Sequence, residues 1–145
     1  FALLHPKRVA AAYCVSAGWY AMPDAALAWP FGIGSGAPLP CDLAAALKVR
    51  LTVAVGEQDL RIDGSVRQSP LINMHQGETR LRRAKRWTRA MQRAADRLDA
   101  ESHVKLELLA GGVHDFAICA RETAMMSLAA AALSAYVTGK QAATA

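Results

Sequence analysis

The stretch VRLTVAVGEQD (residues 49–59) joins an apolar run to a short polar loop. The run is apolar at nearly every position, which is typical of a strand buried on both faces of a parallel sheet. Gly56 ends the run, and Asp59 follows within one turn. The stretch therefore predicts a buried strand with an acidic side chain just beyond its carboxyl end.

Two further segments have strand character. RVAAAYCVS (residues 8–16) is also apolar at nearly every position and is predicted to be buried on both faces, and VKLELL (residues 104–109) is the third strand. Helical patterns lie between and after the strands, at residues 42–48 with Asp42 as the N-cap, at residues 78–101, and at residues 115–137. This alternation predicts one α/β domain over residues 1–145, with about three parallel strands and flanking helices.

The composition is that of a globular protein, with 53% apolar residues in a chain of 145. Since no apolar run reaches the roughly 18 to 20 residues that span a bilayer, we expect a soluble protein without a membrane span. Cys14, Cys41 and Cys119 lack the spacing of a metal site or a disulfide framework and are interpreted as buried small hydrophobes. We expect no metal and no cofactor.

The net charge of +5 comes largely from the long helix predicted at residues 78–101. One side of this helix is an apolar stripe of Leu81, Ala84, Trp87, Met91, Ala95 and Leu98. The opposite side carries Arg82, Lys85, Arg86, Arg89, Arg93 and Arg97. We interpret the basic side as a solvated face and expect no nucleic-acid partner, because no aromatic residues interleave with the charges.

Polar residues follow all three predicted strands, where ligands and catalytic groups gather in an open α/β sheet. Ser16 follows the first strand, Asp59 the second, and His114, in LLAGGVHDF (residues 108–116), the third. The Asp59 carboxylate could reach a histidine on the neighbouring loop and fix its tautomer. The plainer interpretations are an Asx turn or a solvated acid for Asp59, and a surface histidine or helix cap for His114.

The motifs GEQD (residues 56–59) and GGVHDF (residues 111–116), in this order, resemble the C-terminal half of an α/β-hydrolase. In that family a Gly-x-x-Asp after one strand supplies the triad acid, and a Gly-x-x-His loop after the next supplies the base. The start, FALLHPKRVAAAYCVSAG (residues 1–18), is similar to the segment downstream of the family's nucleophile elbow. The resemblance implies that Asp59 and His114 are the catalytic acid and base of a serine hydrolase acting on carboxylic esters.

The family's Gly-x-Ser-x-Gly elbow is absent from these residues, as is the loop that would donate the oxyanion hole. We therefore expect the other half of the same protein to supply the nucleophile, and this chain alone to be inactive. Ser16 is an alternative nucleophile, but Cys14 stands where the elbow needs a glycine, and no helix follows. Asp63 is an alternative acid, and Asp115 is expected to cap a helix.

The segment WYAMPDAALAWPFGIGSGAPLP (residues 19–40) has no period and is predicted to be a long loop. Trp19 and Tyr20 are its candidate substrate-binding residues, and with Met22, Trp29 and Phe31 they could line an acyl or aromatic pocket. These side chains could equally bury the loop's own apolar surface. The remaining histidines, His5, His75 and His103, are expected at the surface.

A second hypothesis, from another functional class, is a non-catalytic α/β module that binds a partner through its basic helix or aromatic loop. The long loop contains GWYAMPD and WPFGIG, and in these residues it is similar to hydrolases near the polyhydroxyalkanoate depolymerase and esterase group. This similarity favours the hydrolase hypothesis over the binding module. The sequence contains no physical argument for the ester cleaved, the oligomeric state or the compartment.

Overall fold

The computed structural model describes the backbone of residues 1–142 and the side chains of residues 1–134. Three parallel strands, β1 (Ala11–Val15), β2 (Arg50–Gly56) and β3 (Val104–Leu109), form one sheet in the order β1-β2-β3. The helices are α1 (Leu43–Leu47), α2 (Pro70–Gln76), α3 (Arg80–Arg97), α4 (Phe116–Glu122) and α5 (Met125–Ala142), and a 3-10 turn (Pro6–Arg8) precedes β1. The predicted α/β fold with three parallel strands is confirmed.

The middle strand, β2, carries most of the buried surface of the sheet. Val53 pairs with Cys14 of β1 on one side and with Leu106 of β3 on the other. By contrast β1 is only partly buried, because among the described residues no strand pairs with its outer edge. The prediction that β1 is buried on both faces is therefore wrong. The expectation that Cys14 is buried is also wrong, because Cys14 is exposed. Cys119 is buried as predicted.

Helices cover the sheet on two sides. On one face, α3 places Ala84, Trp87, Met91 and Ala95 against β2 and β3, as its apolar stripe predicts. On the other face, a smaller cluster joins the sheet to α4 and α5 and consists of Ala54, Leu109, Cys119 and Met125. The stripe ends before Leu98, which is 49% exposed because α3 stops at Arg97.

The helices differ from the sequence prediction in two places. Helix α2 was not predicted, although Ser69 caps it by accepting a hydrogen bond from the Ile72 amide at 3.2 Å and Pro70 begins it. The helix predicted at residues 115–137 is two helices, bent by 84° where Thr123 is extended. Among the described residues no single helix is long and apolar enough to cross a membrane, and this bent pair meets that test only when both parts are combined.

Two arginines of α3, Arg80 and Arg83, are fully buried, and the sequence pattern did not predict their burial. The Arg83 guanidinium makes four hydrogen bonds: it donates to the carbonyl oxygens of Gly77 at 2.8 Å, Arg67 at 2.9 Å and Gly18, and to Asn73 Oδ1 at 3.0 Å. Burial, and secondarily the charge of Arg80, lowers the pKa of Arg83. Arg83 therefore ties the loop after β1 to α2 and α3.

Candidate active site

The loops after β2 and β3 touch each other through two glycines, Gly56 and Gly112. A Cβ atom on Gly56 would lie 2.2 Å from the carbonyl oxygen of Gly112, so only glycine allows this approach. Gln58 donates its backbone N–H to the same oxygen at 2.9 Å, and Gly111 makes the turn with a φ of 69°. The two loops are thus held together at the carboxyl edge of the sheet, with Asp59 on one and His114 on the other.

The structure brings the Asp59 carboxylate and the His114 ring together. Asp59 Oδ2 lies 3.3 Å from His114 Nδ1, and the exposed fraction of the side chain is 0% for Asp59 and 38% for His114. Because an ionised carboxylate only accepts hydrogen bonds, Nδ1 is the donor in a hydrogen bond between these two atoms, and in the neutral ring Nε2 then keeps its lone pair. A buried acid beside a partly exposed imidazole can orient the ring of a general base.

The second oxygen of Asp59 faces Arg80. Arg80 Nη1 lies 3.5 Å from Asp59 Oδ1, and Arg80 Nη2 donates to Ser65 Oγ at 2.9 Å. A buried carboxylate is costly unless a cation or several donors accompany it, and Arg80 supplies the cation. Arg80 was not predicted from the sequence, although it lies four residues before Ala84 and so continues the apolar stripe of α3.

The alternative nucleophile and the alternative acid occupy different places. Ser16 directly follows β1 with a φ of 46° and lines the same cavity as His114, about 190 Å³ in volume. No hydrogen bond joins Ser16 Oγ to His114 among the described residues. Asp63 lies at the surface and accepts from the Ser65 hydroxyl and backbone N–H, which lower the pKa of Asp63. It is Asp59, therefore, and not Asp63, that contacts His114.

Trp19 and Tyr20 do not share the cavity that contains His114. They line a separate apolar groove of about 560 Å³, together with Trp29 and Trp87. The Tyr20 ring stacks on Trp87 with ring centroids 5.0 Å apart, and burial raises the pKa of its hydroxyl well above the usual value. Gln76 accepts from the Tyr20 backbone N–H at 2.9 Å and donates to its carbonyl oxygen at 2.7 Å. Tyr20 thus packs the loop onto α3.

The remaining histidines lie away from the pair. His5, His75 and His103 are partly exposed, and His103 precedes β3, at the opposite end of that strand from His114. His103 Nε2 lies 3.1 Å from Glu101 Oε1, and its Nδ1 lies 3.1 Å from the carbonyl oxygen of Lys48. Within the described part of the chain, no group of three or more His, Cys, Asp or Glu residues could hold a metal ion.

Parallel strands in sequential order, with an acid after the second and a histidine after the third, are the features of an α/β-hydrolase fold. The comparison with solved structures agrees, and we assign the chain to this class. Poly(aspartic acid) hydrolase-1 from Sphingomonas sp. KT-1 matches 83% of the chain with a TM-score of 0.75 and 28% identity. A poly(3-hydroxybutyrate) depolymerase from Bordetella parapertussis matches 72% with a TM-score of 0.65 and 27% identity.

The chain spans less than half of either neighbour, 46% of the first and 36% of the second. No protein-family model matches the chain, and no curated protein sequence does. Both solved neighbours are hydrolytic enzymes by name, which supports a hydrolytic function at the level of the family. The resemblance to the α/β-hydrolase class predicted from GEQD and GGVHDF is confirmed.

Proposed function

We propose that Asp59 and His114 are the acid and base of a Ser-His-Asp triad in a hydrolase that cleaves carboxylic esters. The observation that carries the proposal is the 3.3 Å contact between the buried Asp59 carboxylate and Nδ1 of the partly exposed His114. The hydrolytic neighbours support the same reaction class. They also weigh against a module that only binds a partner.

In the proposed reaction, a serine hydroxyl attacks the ester carbonyl carbon while His114 Nε2 accepts the hydroxyl proton. The tetrahedral intermediate collapses, and the alcohol leaves with the proton from Nε2. Water then attacks the acyl-enzyme with the same base, which releases the carboxylic acid and restores the serine. Throughout, the Asp59 carboxylate accepts a hydrogen bond from Nδ1–H and stabilises the imidazolium that forms at each step.

We place the nucleophile in polypeptide outside these 145 residues, because no Gly-x-Ser-x-Gly motif occurs in them. Ser16 is the competing candidate, since it lines the cavity beside His114 and has a positive φ. Two features disfavour it. Cys14 replaces the glycine that an elbow needs, and residues 17–42 form no helix after it.

The test uses the full-length protein that contains this chain, a fluorophosphonate probe and short-chain p-nitrophenyl esters. We expect the probe to label a serine outside these residues, as mapped by mass spectrometry. His114→Ala and Asp59→Asn should each lower kcat by about 10²- to 10⁴-fold, the usual contribution of a positioned base. His103→Gln is the matched control and should keep full turnover, because His103 lies at the other end of β3.

Two results would contradict the proposal. Unchanged turnover in His114→Ala would show that His114 is not the catalytic base. Labelling of Ser16 would show that the nucleophile lies within these 145 residues. Absence of labelling together with retained partner binding would favour the second hypothesis, a non-catalytic module.

A second substrate class, a polyanionic polymer, is favoured by the exposed side of α3. This side carries a row of exposed arginines, Arg82, Arg86, Arg89, Arg93 and Arg97. No ion pair joins them to an acid within residues 1–134, and the row runs about 22 Å at the helical rise per residue. It begins two residues after Arg80, which contacts Asp59. Poly(aspartic acid) is such a polyanion, whereas poly(3-hydroxybutyrate) is neutral.

Turnover of poly(aspartic acid) and of a neutral p-nitrophenyl ester distinguishes these classes. If the arginine row binds substrate, replacing Arg86, Arg89 and Arg93 with glutamine should raise KM for poly(aspartic acid) and reduce its salt dependence. Turnover of a neutral p-nitrophenyl ester should not change. Arg121→Gln, on α4, is the control for a general loss of charge. Equal effects on both substrates would rule out the arginine row as a polymer-binding surface.

A further inference from the structure

A continuous chain of polar contacts connects the protein surface to His114. It starts at the exposed Asp63 and passes through Ser65, Arg80 and Asp59. Only its inner end belongs to the triad proposed above. The outer members are contributed by the loop after β2 and by the first turn of α3, so the chain crosses two separate parts of the fold.

The direction of the hydrogen bonds in this chain is set by Asp63. The Ser65 backbone N–H donates to Asp63 Oδ1 at 2.9 Å, and the Ser65 hydroxyl donates to the same oxygen. Because its proton points to Asp63, the hydroxyl presents its lone pairs to Arg80. Arg80 Nη2 donates to Ser65 Oγ at 2.9 Å. Ser65 therefore acts as an oriented acceptor that anchors one arm of the guanidinium.

Anchoring one arm of a rigid, planar guanidinium also fixes the other arm. Nη1 of Arg80 then faces Asp59 Oδ1 at 3.5 Å, a separation at which the attraction is mainly Coulombic. Asp59 Oδ2 is left for His114 Nδ1 at 3.3 Å. The division of the two carboxylate oxygens between the cation and the imidazole follows from where Ser65 holds Arg80.

We propose that Arg80 is a positioning residue for Asp59, and that Ser65, oriented by Asp63, sets the position of Arg80. Neither Arg80 nor Ser65 touches the imidazole of His114, so both act through the Asp59 carboxylate. The proposal rests on the proposed function only where it calls His114 a base. The geometric part, control of the Asp59–His114 contact, can be measured without any turnover.

The first measurement is the NMR signal of the His114 Nδ1–H proton in the full-length protein, assigned by its loss in His114→Ala. We expect Arg80→Met to broaden or remove this signal and Ser65→Ala to shift it. Because Ser65 is exposed, we expect Ser65→Ala to fold as the wild-type protein does, which keeps the test valid if Arg80→Met is poorly folded. Ser127→Ala is the matched control, an exposed serine on α5 whose hydroxyl also makes a local hydrogen bond.

The second measurement is turnover of a p-nitrophenyl ester. Ser65→Ala should lower kcat by about 3- to 10-fold with KM unchanged, since a misdirected Asp59 raises the barrier without altering substrate contacts. Arg80→Lys should lower kcat further than Ser65→Ala does, because the compact ammonium group of lysine cannot contact Ser65 and Asp59 at the same time in the fixed geometry of a guanidinium. Ser127→Ala should match the wild type in both constants.

A purely structural role for Arg80 predicts a different outcome. Ser65→Ala would then leave both the Nδ1–H signal and kcat of the folded protein unchanged, and Arg80→Lys would lower only the melting temperature. Either result overturns the proposal. Unchanged turnover in His114→Ala would instead refute the triad, and the NMR measurement would still decide whether Arg80 controls the Asp59–His114 contact.

Discussion

Gly56→Ala tests whether the backbone contact between the loops after β2 and β3 sets the site. The added Cβ atom would lie 2.2 Å from the carbonyl oxygen of Gly112 and 2.9 Å from the backbone nitrogen of Val113. Ordinary van der Waals contact begins at 3.4 Å, so the overlap exceeds 1 Å and involves backbone atoms. It can be relieved only if one of the two loops moves.

The magnitude follows from what that movement breaks. The Gly112 carbonyl oxygen accepts from the Gln58 N–H at 2.9 Å, and separating the loops loses this bond, which contributes about 0.5 to 1.5 kcal/mol. Overpacking by one methyl group costs about 1 to 3 kcal/mol more. We therefore expect Gly56→Ala to lower the free energy of unfolding by about 2 to 4 kcal/mol. His114 lies two residues after Gly112 and moves with its loop, and a displacement of about 1 Å can lower turnover about 10²-fold.

Urea unfolding and ester turnover of the full-length protein measure the two effects. Gly64→Ala is the matched control, because a Cβ atom at Gly64 meets nothing within 4 Å. We expect the control to keep the stability and kcat/KM of the wild type. The reasoning would be refuted if Gly56→Ala unfolded at the same urea concentration as Gly64→Ala with equal turnover. Loss of stability with full turnover would show that the loop contact does not position His114.

Three further predictions concern single residues near the site. Arg83→Met should lower the free energy of unfolding by about 3 kcal/mol, because the carbonyl oxygen of Gly18 and the other buried acceptors lose their donor; an unfolding midpoint equal to that of the wild type in urea would contradict this. Gly111→Ala should cost about 1 to 2 kcal/mol, since its φ of 69° is strained for alanine, and Gly111→Asn should recover part of the loss in thermal melting. Asp115→Ala should cost about 1 kcal/mol by removing the cap that accepts from the Ile118 N–H at 2.9 Å, whereas Asp115→Asn should melt close to the wild type.

The contact between Asp59 and His114 could be anticipated from sequence for a geometric reason. The carboxyl ends of parallel strands meet at one edge of a sheet, so acids and bases that follow adjacent strands come close together. The glycines that precede each residue mark sharp turns, and the structure uses them for the close approach of Gly56 and Gly112. Each of the two motifs could be recognised from the residues around a single strand. The pairing of β2 with β3 was then enough to bring Asp59 and His114 together.

Arg80 shows what the sequence pattern could not supply. Its spacing from Ala84 places it on the buried stripe of α3. However, the period of a helix predicts only which face is buried and not which residue packs against that face. Its partner Asp59 lies 21 residues earlier in the chain, and Arg83 reaches Gly18 at a separation of 65 residues. Contacts over such distances depend on how the loops fold back over the helix.

Taken by itself, the amino-acid sequence determined the α/β class, the three strands, the apolar stripe of α3 and the edge of the sheet that carries Asp59 and His114. These features follow from local periodicity and from turn residues. The tertiary structure alone decided which aromatic side chains face which cavity, and it placed Trp19 and Tyr20 in a groove apart from His114. It also decided that β1 is partly exposed and that Arg80 is buried beside Asp59. Burial depends on which elements pack together, and the same local sequence can face solvent or core according to its neighbours.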